Sequence, residues 1–315
     1  MRRETVLVTG GAGFIGSHLV ERLLKEGYHV RVLDNFSTGR QANLAQVLDE
    51  IELYEADLRD DIAVKEAVTG SVYILHQAAL GSVPRSIDDP LTTHECNSTG
   101  TLKLLLAARQ TGVRRVVYAS SSSVYGNTPT LPKHEMMSPT PLSPYALSKL
   151  TGEIYCQLFT SVYRLETVSL RYFNVFGPRQ DSHSQYAAVI PRFIEALLSD
   201  RRPLIYGDGE QTRDFTYIDN VVEANLLAMT ASGEVAGEVL NVAGGENHTV
   251  NELARTLSEA LNIPLALEFT DSRAGDVQDS YADISKAIRL LNYRVNIGFQ
   301  EGIARTAKWF REQQQ

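Results

Sequence analysis

Tyr145 and Lys149 stand four residues apart, just after Ser143-Pro144, which reads as an N-cap followed by proline at the first helical position. That spacing puts the phenol and the ammonium on one helix face. There the ammonium favours the phenolate, so tyrosine becomes a candidate general base near neutral pH although its free pKa is about 10. Tyr-x-x-x-Lys alone is common and mostly marks an ordinary helix with a packed tyrosine and a solvated lysine. Its context gives it weight. Upstream lies Ser120-Ser-Ser-Ser123-Val-Tyr125-Gly126, directly after a strand candidate. Serines at the carboxyl end of a strand face the crevice in which open α/β sheets bind ligands. One such hydroxyl, bonded to a substrate oxygen, would complete a Ser, Tyr, Lys set.

A second group of residues could cradle a pyrophosphate. Gly10-Gly-Ala-Gly13-Phe-Ile-Gly16 fits G-x-x-G-x-x-G and, counted from Gly11, G-x-G-x-x-G. Glycines let the backbone turn tightly and approach the phosphates, which then rest on a helix N-terminus. Asp34 directly follows the second strand candidate, where a carboxylate can accept hydrogen bonds from an adenosine ribose. Its charge would repel a 2′-phosphate and so favours NAD over NADP. Arg40 is near enough in sequence to tolerate such a phosphate, and Asp34-Asn35 could instead serve as a turn or helix cap.

The elements that must position these groups show in the hydrophobic pattern. Short β-branched runs at Val6 to Val8, His29 to Leu33, Ile51 to Ala56, Val72 to His76, Val116 to Ser120 and Val168 to Tyr172 alternate with helix-like stretches. The helical stretches run from Phe14 to Glu26, Asp61 to Val68, Asn97 to Thr111 and Pro144 to Tyr163. This is the rhythm of a doubly wound parallel sheet covered on both faces. Past about Phe176 the chain breaks into pieces punctuated by Pro, Gly and Asp, which predicts a smaller mixed α/β lobe for the substrate. The expected division is 1–176 and 177–315, with later segments returning to the first lobe.

Composition narrows the classes. The 315 residues carry 43% hydrophobic and 22% charged side chains, ordinary globular usage that excludes a disordered or fibrous chain. A net charge of −8 without a basic patch leaves no footprint for nucleic acid. Two distant cysteines, Cys96 and Cys156, predict neither a disulfide framework nor a thiolate metal site, and fit a cytoplasmic setting. Neither a signal peptide nor a membrane span is expected. The histidines are dispersed, and His94-Glu95 and His134-Glu135 lack a second His one turn later, which argues against a metallohydrolase. A non-catalytic regulator on a dinucleotide-binding fold is the other rival. It has no use for Tyr145 and Lys149.

Taken together, these motifs resemble the extended short-chain dehydrogenase/reductases, and among them the nucleotide-sugar 4-epimerases. The resemblance runs nearly end to end, through Thr9-Gly10, Asp34-Asn35-Phe-Ser-Thr38-Gly39, Asp57-Leu58, His76-Gln-Ala-Ala79, Ser143-Pro-Tyr145-Ala-Leu-Ser-Lys149, Arg171-Tyr-Phe-Asn174, Arg213-Asp214-Phe215 and Ala282-Asp283. It implies that Ser121 is the catalytic serine, Tyr145 the base and Lys149 the holder of the nicotinamide ribose. It implies further that Gly10, Gly13, Phe14, Ile15, Gly16, Asp34, Asn35, Phe36, Ser37, Thr38 and Gly39 bind NAD, that Asp57 and Leu58 flank adenine, and that Gln77, Ala78, Ala79, Asn97 and Tyr172 line the channel. For the sugar nucleotide it implies Gly81, Ser82, Ser121, Ser122, Asn174, Ala188, Val189, Tyr206, Asp276 and Ser280, with Arg213 and Arg273 clamping the phosphates. Asp57 could also cap the Asp61 helix, and Arg213 could pair with Asp214 or Asp208.

Departures from related chemistries narrow the implied reaction. Relatives that eliminate water or carbon dioxide typically carry an acid beside the catalytic Ser or Thr, where this chain has Ser122 and Ser123. Relatives acting on glucuronates tend to have Thr in place of Asn174, and a UDP-glucuronate 4-epimerase or another sugar-modifying relative is the alternative. Leu80 to Ser86 and Tyr186 to Pro191 resemble the enzymes that accept UDP-N-acetylglucosamine. Ser280 occupies a position that is a bulky Tyr in strict glucose epimerases, so a small side chain there leaves room for an N-acetyl group. The family also implies a homodimer, joined through the helices near Asn97 to Thr111 and Pro144 to Tyr163.

Overall fold

The computed structural model describes residues 3–181, 188–271 and 278–313. Its centre is a seven-stranded sheet built from β1 (Thr5–Thr9), β2 (His29–Asp34), β3 (Ile51–Glu55), β4 (Tyr73–His76), β5 (Arg115–Ser121), β6 (Glu166–Tyr172) and, later in the chain, Val239–Val242. The spatial order is β3-β2-β1-β4-β5-β6 followed by Val239–Val242, and every pairing is parallel. This is the Rossmann-type arrangement anticipated from the strand rhythm. The order reverses between β1 and β4, so the loops leaving those two strands diverge and open a crevice at the carboxyl edge.

Side chains alternate along each strand, and the two faces have separate cores. Val6, Val8, Val30, Val32, Val117, Ala119, Val168 and Leu170 pack with Leu19, Val20 and Leu23 of α1 (Phe14–Lys25). Leu7, Leu33, Ile74, Val116 and Tyr118 face the other way, against α2 (Asp61–Val68), α5 (Gly100–Thr111) and α6 (Pro144–Tyr163). Between β4 and α5 run α3 (Val83–Asp88), α4 (Pro90–His94) and one π-helical turn, Glu95–Thr99. The sequence pattern had the helix beginning at Asn97. That residue lies instead inside the π turn of a longer helical run, because Asp89 caps α4 through the Thr92 N–H and proline occupies the first helical position.

The rest of the chain forms small sheets around the crevice. Strand β7 (Val175–Phe176) pairs with β10 (Thr216–Tyr217); β8 (Leu204–Tyr206) with β13 (Glu268–Thr270); and β9 (Thr212–Arg213) lies between β12 (His248–Thr249) and β14 (Asp279–Ser280). Val239–Val242 is β11. Helix α7 (Val189–Leu198) packs on α9 (Val250–Leu261), which in turn packs on α11 (Phe299–Glu312), while α8 (Ile218–Thr230) lies against α1 and α10 (Ser285–Leu291) against β11. Phe176 meets Phe215, Tyr217 and Phe299 at ring separations of 6.3, 5.6 and 6.4 Å, which fixes β7, β10 and α11 beneath one wall of the crevice. Among the described residues no helix is long and apolar enough to cross a membrane.

Helix α6 sits against β5 because Gly152 has no side chain: a Cβ there would lie 2.2 Å from the hydroxyl of Tyr118. That ring cannot retreat, since it is buried against His76, 5.6 Å away. Gly152→Ala gains about 1 kcal/mol of helix propensity but must push helix from sheet, so we expect a net loss of roughly 1–3 kcal/mol in urea unfolding. Gly81→Ala, where a Cβ meets open space, serves as the neutral control. A Gly152→Ala protein as stable as the parent would refute this account of the packing.

Candidate active site

The glycine loop joins β1 to α1 at the point where the sheet order reverses. Gly10 has φ +68°, and a Cβ on it would lie 2.7 Å from the Ala78 nitrogen, so the loops after β1 and β4 touch backbone to backbone. A Cβ on Gly16 would lie 2.0 Å from the Gly10 oxygen. Helix α1 starts at Phe14 with Gly13 as its N-cap, without a capping side chain and without an acid in the first turn. The amides of Phe14, Ile15 and Gly16 therefore form a positive helix end suited to an anion.

Asp34 ends β2 beside this loop. Its carboxylate accepts from the Ala12 N–H at 2.9 Å and the Phe36 N–H at 2.8 Å, so the turn-capping role and a ligand role coexist on one group. A carboxylate has about four acceptor positions, which leaves two for a ribose diol. Phe36 takes a left-handed conformation, φ +53°, that brings Ser37, Thr38 and Gly39 round toward Ala12. Arg40, near enough in sequence to tolerate a 2′-phosphate, is held by Asp181 at 2.6 Å. Asp57 binds Asn35 and, in a bidentate pair, Arg59, whose guanidinium holds its carboxyl down at about 2. It does not cap α2. Asp60 does that, accepting from Ile62 and Ala63, because a cap must directly precede the first helical residue. Leu58 is largely buried in the core between α2 and α5.

The loop after β4 rests on a buried polar chain that the sequence did not disclose. Thr101 donates to the Asn97 carbonyl and so accepts from His76 Nε2 at 2.9 Å; His76 Nδ1 then accepts from Thr9 at 2.7 Å, and the Thr9 oxygen receives the Ala78 N–H. Burial drives the His76 pKa to about 3, which keeps the ring neutral. Asn97 is engaged at both ends of its amide: it bonds both backbone groups of Leu80 and the hydroxyl of Ser148. It thereby ties Leu80, Gly81 and Ser82 to α6, and Ser82 goes on to cap α3. Gln77 and Tyr172 form a cluster with Asn225 of α8, at 2.8 to 3.2 Å. Asn225 went unnoticed in the sequence. Its signal there was an amide in the apolar second half of α8.

At the end of β5, Ser121 accepts from the amide and hydroxyl of Ser123 and hydrogen-bonds the phenol of half-buried Tyr145. Ser122 opens the following turn, one residue from Ser121. The Lys149 ammonium donates to the Ala119 carbonyl at 2.8 Å and lies 5.9 Å from the Tyr145 ring centre. Burial raises the Tyr145 pKa, opposed by the Ser121 hydrogen bond. Burial in turn lowers Lys149 to about 8, opposed by Glu153.

A cleft of about 280 Å³, lined by none of Ser121, Tyr145 and Lys149, lies among residues that follow β6. Asn174, Ala188, Val189, Tyr206 and Arg213 line it, as do Phe215 of the Arg213-Asp214-Phe215 motif and Gln180, Arg192 and Gln211, which the motifs did not single out. Asn174, at φ +33°, donates to the Asp214 carbonyl at 3.0 Å. Arg213 donates to the Thr212 and Gln278 carbonyls, while the neighbouring Asp214 carboxylate accepts from the Gly244 and Ala282 amides. Ser280 pairs in register with Arg213, so the two share a strand face. Arg273, Asp276 and Tyr186 lie outside the described residues.

Comparison with known proteins fits this geometry. The family model described as "NAD dependent epimerase/dehydratase family" matches residues 6–243. A UDP-glucose 4-epimerase of Mycolicibacterium smegmatis is 42% identical, over 98% of this chain and 99% of its own. Among solved structures, the UDP-N-acetylglucosamine 4-epimerase from Methanobrevibacter ruminantium M1, in complex with UDP-N-acetylmuramic acid, is 40% identical, with a TM-score of 0.94 over 99% of this chain and 100% of the other. A UDP-glucose 4-epimerase of Thermus thermophilus, solved as its complex with NAD, is 39% identical, with a TM-score of 0.88 over 98% and 99% of the two chains. With the glycine loop, the acid after β2 and the Ser, Tyr, Lys group gathered at one sheet edge, the chain belongs to the NAD-dependent epimerase/dehydratase family.

Proposed function

We propose that the protein is an NAD-dependent UDP-hexose 4-epimerase, an isomerase that interconverts UDP-GlcNAc with UDP-GalNAc and UDP-Glc with UDP-Gal. The observation that carries this reading is the Tyr145 phenol bonded to Ser121, with Lys149 one helical turn away, at the same carboxyl edge of the sheet as the glycine loop. The residues present fit NAD: an uncapped helix end for the pyrophosphate, free acceptor positions on Asp34 for the ribose, and an Arg40 already neutralised by Asp181. Bound there, NAD would supply reversible hydride acceptance at C4, the chemistry that passes through a 4-keto sugar. Tyr145 removes the 4-hydroxyl proton and later returns it, Ser121 holds the sugar oxygen, and Lys149 binds the nicotinamide ribose. Arg213, with Arg273, fixes the diphosphate while the ring turns over.

Neutral Ser122 and Ser123 beside the base offer no second proton donor for elimination, which favours simple epimerisation. The strand face that Ser280 shares with Arg213 supports its part in sugar selection. The reading also divides the chain into a cofactor lobe, 1–176 with β11 returning to it, and a substrate lobe over most of 177–315. It places the protein in the cytoplasm as a homodimer. Leu147, Ile154, Leu158 and Val162 form an exposed apolar row on α6, beside half-exposed Leu106 of α5, and such a row suits helix-to-helix pairing with a second copy.

Product analysis with a panel of UDP-sugars tests the activity directly. Turnover of UDP-glucuronate alone would replace this reading with the glucuronate one. Tyr145→Phe is expected to lower kcat by about 10²–10⁴-fold while NAD still binds; a variant that retains activity would remove Tyr145 from the mechanism. Ser280→Tyr should cut kcat/KM about tenfold or more for the acetylated pair and spare the other, as a filled pocket rejects the larger group. Equal loss on both pairs would count against that assignment. Sedimentation velocity on the parent and on Ile154→Glu should give a dimer and a monomer respectively, and a monomeric parent would dispose of the dimer.

A further inference from the structure

Beneath the Ser, Tyr, Lys group lies an ion pair that the proposed chemistry does not use. Glu153, on α6 one turn beyond Lys149, is 2% exposed, and Arg171 of β6 is 3% exposed. They form a two-pronged pair, Nε to Oε1 at 2.9 Å and a terminal nitrogen to Oε2 at 2.8 Å. Ser120 donates its hydroxyl to the same carboxylate and pairs in register with Arg171 across β5 and β6. Ser120 and Arg171 face α6 because they alternate with Ala119 and Leu170, which face the opposite core. A fold has no need of such a pair, since well-packed apolar side chains of similar volume are often as stable or more so.

What the pair does is local to Lys149. The strand end Ala119-Ser120-Ser121 supplies the carbonyl that takes the Lys149 proton, the hydroxyl that meets Glu153 and the hydroxyl that meets Tyr145. Facing the ammonium are Tyr145 and Glu153 on its own helix, the Tyr118 ring of β5 at 5.3 Å, neutral His76 of β4 and, beyond Glu153, Arg171 of β6 stacked over Tyr125. The π turn meets this part of α6 through uncharged Asn97 and Ser148, and α4 and α3, the latter carrying Arg85 and Asp88, also pack on α6. Glu153, one turn further along the same helix, is a charged side chain that acts on Lys149 and favours its ammonium against burial. We propose that Glu153 is a positioning residue for the reaction: it supplies the buried counter-charge that keeps Lys149 an ammonium, and through Ser120 and Arg171 it fixes the strand end that carries Ser121.

This inference rests on the epimerase reading, in which Lys149 as an ammonium holds the nicotinamide ribose. The test uses Glu153→Gln and the double variant Glu153→Gln/Arg171→Met, with urea stability, kcat and NAD affinity followed over about pH 6–10. In the parent, Lys149 loses its proton near pH 8. Without the carboxylate burial acts unopposed, so the proton is lost at lower pH. The alkaline limbs of kcat and of NAD affinity should move down by about one pH unit, a loss of about fivefold at pH 8 relative to each variant's plateau. Glu153→Gln also strands Arg171 in the interior and lowers stability. The double variant removes both charges, so stability should return while both limbs stay displaced. A double variant that regains the parental limbs along with its stability would overturn the proposal, because the pair would then be a structural tie only. Lys149→Met separates the two levels: if that variant keeps the parental activity and NAD affinity, the role given to Lys149 fails, whatever the Glu153 limbs show.

Discussion

At the carboxyl edge of the sheet, the backbone of Gly10 passes so near that of Ala78 that one methyl group would collide with it. Much of the site depends on that approach. It closes the first turn tightly enough to point the start of α1 into the crevice, and it brings the loop after β4 under the same helix end. Ala12 then serves as the hub for the third wall: its amide goes to Asp34, and its carbonyl receives the Arg40 amide and the Asn43 side chain. Three loops from three strands are thus held largely through backbone groups, and side chains remain available for a ligand.

The same economy governs charge. The chain carries a net charge of −8, yet the ligand proposed for it is anionic. The attraction must be local, from the uncapped end of α1 and from Arg213 at the cleft, where nearby low-dielectric walls lengthen the reach of each charge. Buried ionisable groups are handled in two ways. His76 is kept neutral inside a complete hydrogen-bond chain, while Glu153 and Arg171 are kept charged by pairing with each other. Both devices lie beneath the loops that hold Ala78, Leu80 and Ser121, so these buried groups serve the crevice.

The second half of the chain shows a different logic. Its sheets have two or three short strands each, and none could stand alone. They are organised by the aromatic group around Phe176 and by ties back to the large sheet, such as Tyr125 to Asn241 at 2.7 Å and the Asn241 amide group to Lys133 and Asp283. The cleft is consequently shaped by residues far apart in sequence, with Phe215, Gln211 and Arg192 meeting Asn174 across it.

The sequence by itself determined the elements whose signals are local. Proline after Ser143 starts α6, the glycines after β1 turn the chain, and apolar runs become strands, so Tyr145, Lys149, Asp34 and the glycine loop could be read directly. Each depends on neighbours within a turn or two. Tertiary structure alone decided which groups face them. Nothing local marks that Asn225 meets Tyr172, that Asp181 occupies Arg40, that Thr9 and Thr101 clasp His76, or that Lys149 directs its proton to Ala119. Those pairings join residues from 25 to 141 positions apart. Protonation follows burial and the nearest partner, and both are properties of the packed chain.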